Sequence, residues 1–218
     1  MGVEGQFLAK LRRHDLPADD LESILRNSEA RRFHAVRLAL ARHRNTPRGE
    51  ALSLVETLFW RDLSHISADA RVHPEVRRAA DMHLRRRLPD LAVAERVDLA
   101  RVVGRGTLLV LRGDPDPRVV AAFLENRFAT EPDVVQAAAR LRARPEALRV
   151  IAAHPRWSRR RSVREALLQN PELPPESAEA LLDQCTDREL DLLGTEPAGP
   201  AAIRRMAQRI LARRSRAV

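Results

Sequence analysis

The sequence predicts an all-α protein, a solenoid of about five stacked helical units. Three observations carry this prediction. A short motif recurs at nearly even spacing, one long internal match runs without a gap, and proline marks the starts of apolar-periodic runs.

The motif reads Val36-Arg37-Leu38-Ala39-Leu40, Val76-Arg77-Arg78-Ala79-Ala80, Val119-Val120-Ala121-Ala122-Phe123, Val163-Arg164-Glu165-Ala166-Leu167 and Ile203-Arg204-Arg205-Met206-Ala207. First residues lie 40, 43, 44 and 40 apart. The β-branched residue and its partners at i+3 and i+4 share one helix face. A small residue there admits a neighbouring helix closely, and Val or Ile fills the gap. Residues 36–87 slide onto 163–214 without a gap, at an offset of 127. That diagonal pairs Arg37 with Arg164, Leu54 with Leu181, Leu63 with Leu190 and Arg77 with Arg204.

The punctuation agrees. Pro47, Pro74, Pro117, Pro132, Pro145, Pro174 and Pro200 stand at or near helix starts, where a missing N–H costs nothing. Thr46 and Thr130 read as N-caps, and Asp114-Pro115-Asp116-Pro117 as a compact turn. Thr107–Leu111 is the one candidate strand, and its place before the Asp-Pro turn makes it a short helix instead. Gly104-Arg105-Gly106 reads as a helix end.

Composition fits thin layers. Aromatics are 3% of 218 residues and Tyr is absent, which a stack of Leu-, Ala- and Val-filled helices tolerates. One cysteine, Cys185, excludes an internal disulfide or a cysteine metal cage, and reads as a buried, inert thiol in a reducing compartment. Residues 1–16 hold no continuous apolar core of a secretory signal. No stretch approaches the roughly 18 apolar residues of a membrane helix. The expectation is a cytoplasmic monomer away from the membrane.

A helix, an Asp-Pro turn and a helix opening with V-R-x-A resemble the HEAT repeat. The run Pro145-Glu146-Ala147-Leu148 to His154-Pro155, then Val163-Arg164 and Asn170-Pro171-Glu172-Leu173-Pro174-Pro175, is similar to the leucine-rich repeat variant, a related bacterial helical repeat. The resemblance spans residues 29–214 and implies a right-handed superhelix. Its repeat-defining helices lie near 31–43, 74–87, 116–126, 158–169 and 200–214. The Asp that precedes the V-R pair in many HEAT units stands here as Asp114. The iron–sulfur cluster of one variant-repeat protein needs several cysteines, so no cofactor is expected. Residues 1–28 fall outside the pattern. Phe7, Leu8, Leu11, Leu21, Ile24 and Leu25 predict two short capping helices, with Asp15, Asp19, Asp20 and Glu22 on the polar outer side. Residues 215–218 read as a tail.

Charge supplies the functional clue. Net charge is +9, and of 39 basic residues only Lys10 is lysine. GC-rich coding accounts for arginine over lysine, but not for the positive excess. The five repeat-defining helices hold 19 basic and 5 acidic residues, a net of +14, against −5 for the rest. The resemblance places these helices on the concave face, which would make a basic trough that focuses field toward acidic ligands. Candidate ligand residues are Arg78, Arg85, Arg86, Arg87, Arg159, Arg160, Arg161 and Arg205. The motif arginines Arg37, Arg77, Arg164 and Arg204 read equally as turn-binding structural groups.

Catalytic and metal residues are not expected. The seven histidines, His14, His34, His43, His65, His73, His83 and His154, show no metal-ligand spacing, and no P-loop or nucleophile-elbow motif is present. The expected function is a non-enzymatic scaffold for an acidic protein or peptide. The alternative is duplex nucleic-acid binding, with a similarity to HEAT-like DNA glycosylases in which Trp60 or Trp157 would handle a base. Core or seam packing beside Phe59 and Leu63 is the favoured reading of Trp60.

Overall fold

A computed structural model describes residues 2–13, 16–197 and 199–216. His14 and Asp15, named above, lie outside the described residues, as do positions 217–218 of the expected tail. The described residues are all-helical, with no strand.

The chain divides into two compact units, residues 1–108 and 109–218. The first holds α1 (Val3–Leu11), α2 (Ala18–Arg26), α3 (Ser28–Arg32), α4 (His34–Arg42), α5 (Arg48–Glu56), α6 (Trp60–Ala68), α7 (Pro74–Arg87) and α8 (Val93–Val102). The division falls inside α9 (Arg105–Leu111), the segment of the discarded strand. The second unit continues with α10 (Pro117–Glu125), α11 (Glu131–Ala138), α12 (Pro145–Ala153), α13 (Arg161–Leu168), α14 (Pro175–Asp183), α15 (Asp187–Thr195) and α16 (Ala201–Ser215).

The two units contain one quartet twice. Shifting α4, α5, α6 and α7 by 127 residues lands on the first residues of α13, α14, α15 and α16. Packing follows: α4 lies on α5, α5 on α7 and α6 on α7, as α13 lies on α14, α14 on α16 and α15 on α16. Equivalent positions are buried in both, namely Val36 and Val163, Leu40 and Leu167, Leu54 and Leu181, Leu63 and Leu190, Ala80 and Ala207. Each fully buried branched side chain contributes roughly 1.5–3 kcal/mol, so these layers hold each quartet together.

Helix starts follow local chemistry. Pro74, Pro117, Pro145 and Pro175 occupy the first helical turn, where their missing N–H is no loss. Asp116 caps α10 by accepting from the Arg118 N–H at 2.9 Å. Thr130 caps α11 beside Asp133, whose carboxylate reaches back to the Thr130 N–H at 3.0 Å. Thr46 behaves otherwise than expected. Pro47 takes the N-cap position of α5, and the Thr46 hydroxyl donates to the Leu40 carbonyl at 2.7 Å, so it closes the end of α4.

Two expected helices are shorter than the periodicity implies. The run 31–43 breaks at Phe33, which is extended, and the run 158–169 begins only at Arg161. Each break frees backbone carbonyls, and the motif arginine takes them up. Arg37 donates to the Arg31 and Arg32 carbonyls at 2.8 and 3.1 Å. At the matching place Arg164 donates to the Arg159 carbonyl at 2.9 Å. Arg204 does the same for the turn before α16, donating to Glu196, Pro197 and Gly199 at 2.6 to 3.3 Å. Gly104 follows the end of α8, as expected, whereas Gly106 belongs to the first turn of α9.

Candidate functional site

The expected basic residues separate by what their guanidiniums already hold. Arg87, last in α7, donates to the Leu58 and Glu56 carbonyls at 2.7 and 3.1 Å, closing the end of α5. Arg160 stands 3.8 Å from Glu131. Arg161 donates to Glu165 at 2.7 Å, which raises its pKa, and lies 3.9 Å from Glu189. Arg85 reaches the carbonyl of Asp81, one turn back on its own helix. Arg78, Arg86, Arg159 and Arg205 are exposed and have no ion-pair partner among the described residues. Arg78 and Arg205 are equivalent positions of the repeated quartet.

The groove beside α13 has mixed charge. About 380 Å³ is lined by Arg161 and Arg164 but also by Glu165, Glu189 and Glu196, over an apolar floor that includes Leu168, Leu193 and Cys185. Arg164 and Glu189 face each other at 3.0 Å with little exposure. Glu189 is held below its ordinary range chiefly by the Thr186 N–H. The Cys185 thiol is buried and its pKa is pushed up by that burial.

Positive charge also gathers at places the helix-by-helix count misses. In the first unit Arg12, Arg42, Arg44 and Arg71 line a recess of about 670 Å³ with Asp69 as the one carboxylate among the described lining residues. In the second, Arg112, Arg140, Arg142 and Arg144 line a smaller one of about 230 Å³ with Asp114. Arg140 is tied to the Gly113 carbonyl there. All of these eight arginines but Arg42 lie outside the helices. The sequence signal was available in the pair Arg12-Arg13, in Arg44 and Arg71, and in the alternation Arg140-Leu141-Arg142-Ala143-Arg144. The candidate ligand residues also left out Arg209, one turn beyond Arg205 on α16 and likewise exposed.

The aromatics divide sharply. Trp157 is 2% exposed, and its indole N–H donates to the Leu124 carbonyl at 2.9 Å. Trp60 is half-buried, donates to Glu95 at 3.1 Å, and lies under the Arg61 guanidinium at 5.1 Å. Leu63 is fully buried, whereas Phe59 is 65% exposed and rests against the His34 ring at 4.6 Å. His34 in turn bonds Asp62 at 2.7 Å. No group of three or more His, Cys, Asp or Glu among the described residues is arranged to hold a metal ion, and none of the described helices is long and apolar enough to cross a membrane. No protein-family model, no curated protein and no solved structure matches the chain.

Proposed function

We propose that the chain is a non-enzymatic interaction scaffold that docks an acidic protein or peptide through arginines on its repeat helices. The observation that carries this reading is the contrast between neighbouring arginines. Arg204, Arg87 and Arg214 are engaged by backbone carbonyls, whereas Arg78 and Arg205 stand exposed at equivalent places without a carboxylate partner. Arginine suits such docking because its planar fork donates paired hydrogen bonds to a carboxylate. A right-handed HEAT-like solenoid of about five repeats is the architecture we propose to present them. The repeated quartet and the packing of each helix on near neighbours in sequence support it.

The test is fluorescence anisotropy with a labelled glutamate-rich peptide. Saturable binding by the wild type, lost in Arg78→Glu/Arg159→Glu/Arg205→Glu, supports the scaffold. Equal binding by both proteins rejects these arginines as the docking residues. Random-sequence duplex DNA, titrated at two salt concentrations, tests the rival. Phosphate binding would weaken steeply and log-linearly with salt, and no binding at low salt removes it. Burial of Trp157 already denies that side chain a face for a flipped base.

A further inference from the structure

The recess in the first unit is chemically more specific than an acidic-partner surface. We propose that Arg12, Arg42, Arg44 and Arg71 form a binding site for the phosphate end of a small phosphorylated molecule.

Four elements bring these residues together. Arg12 ends α1, Arg42 ends α4, Arg44 lies in the turn after α4, and Arg71 lies in the turn between α6 and α7. Two of them are fixed in place by one carboxylate. Asp69 accepts from Arg71 Nε and Nη2, each at 3.0 Å, from the Arg71 backbone N–H at 3.0 Å, and from Arg42 at 2.8 Å. Asp69 is 13% exposed, and these bonds hold its pKa well below the usual carboxylate range, so it remains ionised. Two guanidiniums are thereby pre-positioned, which lowers the ordering cost of taking up a ligand.

The charge balance selects the ligand. Among the described lining residues four guanidiniums face one carboxylate, and neither Arg12 nor Arg44 has a side-chain hydrogen bond or ion pair to another described residue. His43 Nε2 bonds the Arg13 carbonyl at 3.1 Å, and its Nδ1 accepts from the Asn45 N–H at 3.3 Å. The excess of three guanidiniums over carboxylates among the described lining residues exceeds what a single carboxylate neutralises and suits a phosphate monoester or pyrophosphate group. Leu11 and Ala39 offer apolar wall for an organic body, and the volume of about 670 Å³ lies in the range of small-molecule sites.

The repeated quartet supplies an internal comparison. At the positions equivalent to Arg42, Arg44 and Arg71 the sequence has Gln169, Pro171 and Ala198. α13 to α16 pack as α4 to α7 do without those arginines. The quartet therefore does not need them, and their convergence beside Asp69 is a property of one copy alone.

Calorimetric titration of the full chain with inorganic pyrophosphate tests the site. One saturating event per chain is expected at physiological ionic strength. Binding should weaken by roughly tenfold or more in Arg12→Ala/Arg44→Ala, which removes two charges whose side chains make no hydrogen bond or ion pair to another described residue. Arg42→Gln/Arg71→Ala, which copies the other quartet, should do the same, and Arg188→Ala on α15 should leave it unchanged. Absence of saturable binding overturns the proposal. So does equal weakening by Arg188→Ala, which would mark general attraction to a basic chain. Citrate binding as tightly as pyrophosphate overturns the choice of phosphate.

Discussion

Arg87 and Arg214, 127 residues apart, make the same pair of hydrogen bonds. Arg87 donates to the Leu58 and Glu56 carbonyls, and Arg214 to the Cys185 and Asp183 carbonyls at 2.9 Å each. Each acceptor is displaced by the same 127 residues. Removing either side chain leaves two carbonyls at the end of a helix without their donor. Arg87→Ala and Arg214→Ala should each cost about 1–3 kcal/mol, measured as a shift of the urea unfolding midpoint. Lysine should rescue only in part, because one ammonium on a flexible stem does not reproduce a fork that spans two carbonyls.

Asp81 gives a pH dependence with a definite sign. Burial pushes its carboxyl up from 3.8, outweighing the Thr107 N–H and hydroxyl bonds that pull it down. The folded chain therefore holds this proton more tightly than the unfolded chain. The stabilisation is fully present below 3.8, the unfolded value, and is lost as pH rises through the raised folded value. Asp81→Asn keeps an acceptor for Thr107 and cannot ionise. It should be more stable than wild type at pH 7, with the advantage vanishing near the unfolded value. Denaturant melts at the two pH values check this, and an unchanged difference between them would count against it.

Cys185 occupies the place that Leu58 fills in the first quartet, and both are buried. Cys185→Leu should therefore fold, at a cost of about 1–3 kcal/mol for the added volume. The native thiol should react with an aromatic disulfide reagent far more slowly than the same thiol in urea, since both burial and its raised pKa suppress the thiolate.

Two glycines of the first unit should respond oppositely to alanine. A Cβ on Gly49 meets nothing within 4 Å, and the residue lies in the first turn of α5. Gly49→Ala should stabilise by about 0.5–1 kcal/mol. A Cβ on Gly104 would press into the backbone carbonyl of Ser67, whose carbon would be 2.8 Å away. The Gly104 N–H also donates to the Ser67 hydroxyl oxygen at 3.0 Å, which holds the backbone in place. Gly104→Ala should cost about 1–3 kcal/mol. Thermal melts of the two variants separate the cases.

Helix positions were legible because apolar periodicity and proline are local signals, and the starts of α5, α6 and α7 fall on those of α14, α15 and α16 along the gapless diagonal. The breaks at Phe33 and before Arg161 were not legible. They depend on Arg37 and Arg164 compensating the freed carbonyls, a contact that spacing does not express. Thr46 illustrates the same limit, since a threonine before a helix serves equally to close the previous one. The sequence ranked arginines by helix membership. Whether Arg87 spends its donors on Leu58 and Glu56, or Arg78 leaves them free, depends on which carbonyls a fold leaves open. The recess around Asp69 was hidden because Arg12, the pair Arg42 and Arg44, and Arg71 come from three distant stretches of the chain that are neighbours only in space.

The two tryptophans have a practical consequence. The chain has no Tyr, and Trp60 lies in the first unit while Trp157 lies in the second. Each indole lies under an arginine guanidinium and has its N–H satisfied, but Trp60 is half-buried whereas Trp157 is enclosed. Near-ultraviolet absorption and emission thus come from one chromophore per unit, in unlike surroundings. Trp60→Phe and Trp157→Phe each leave a single-emitter protein, so the opening of either unit can be followed optically without an added label.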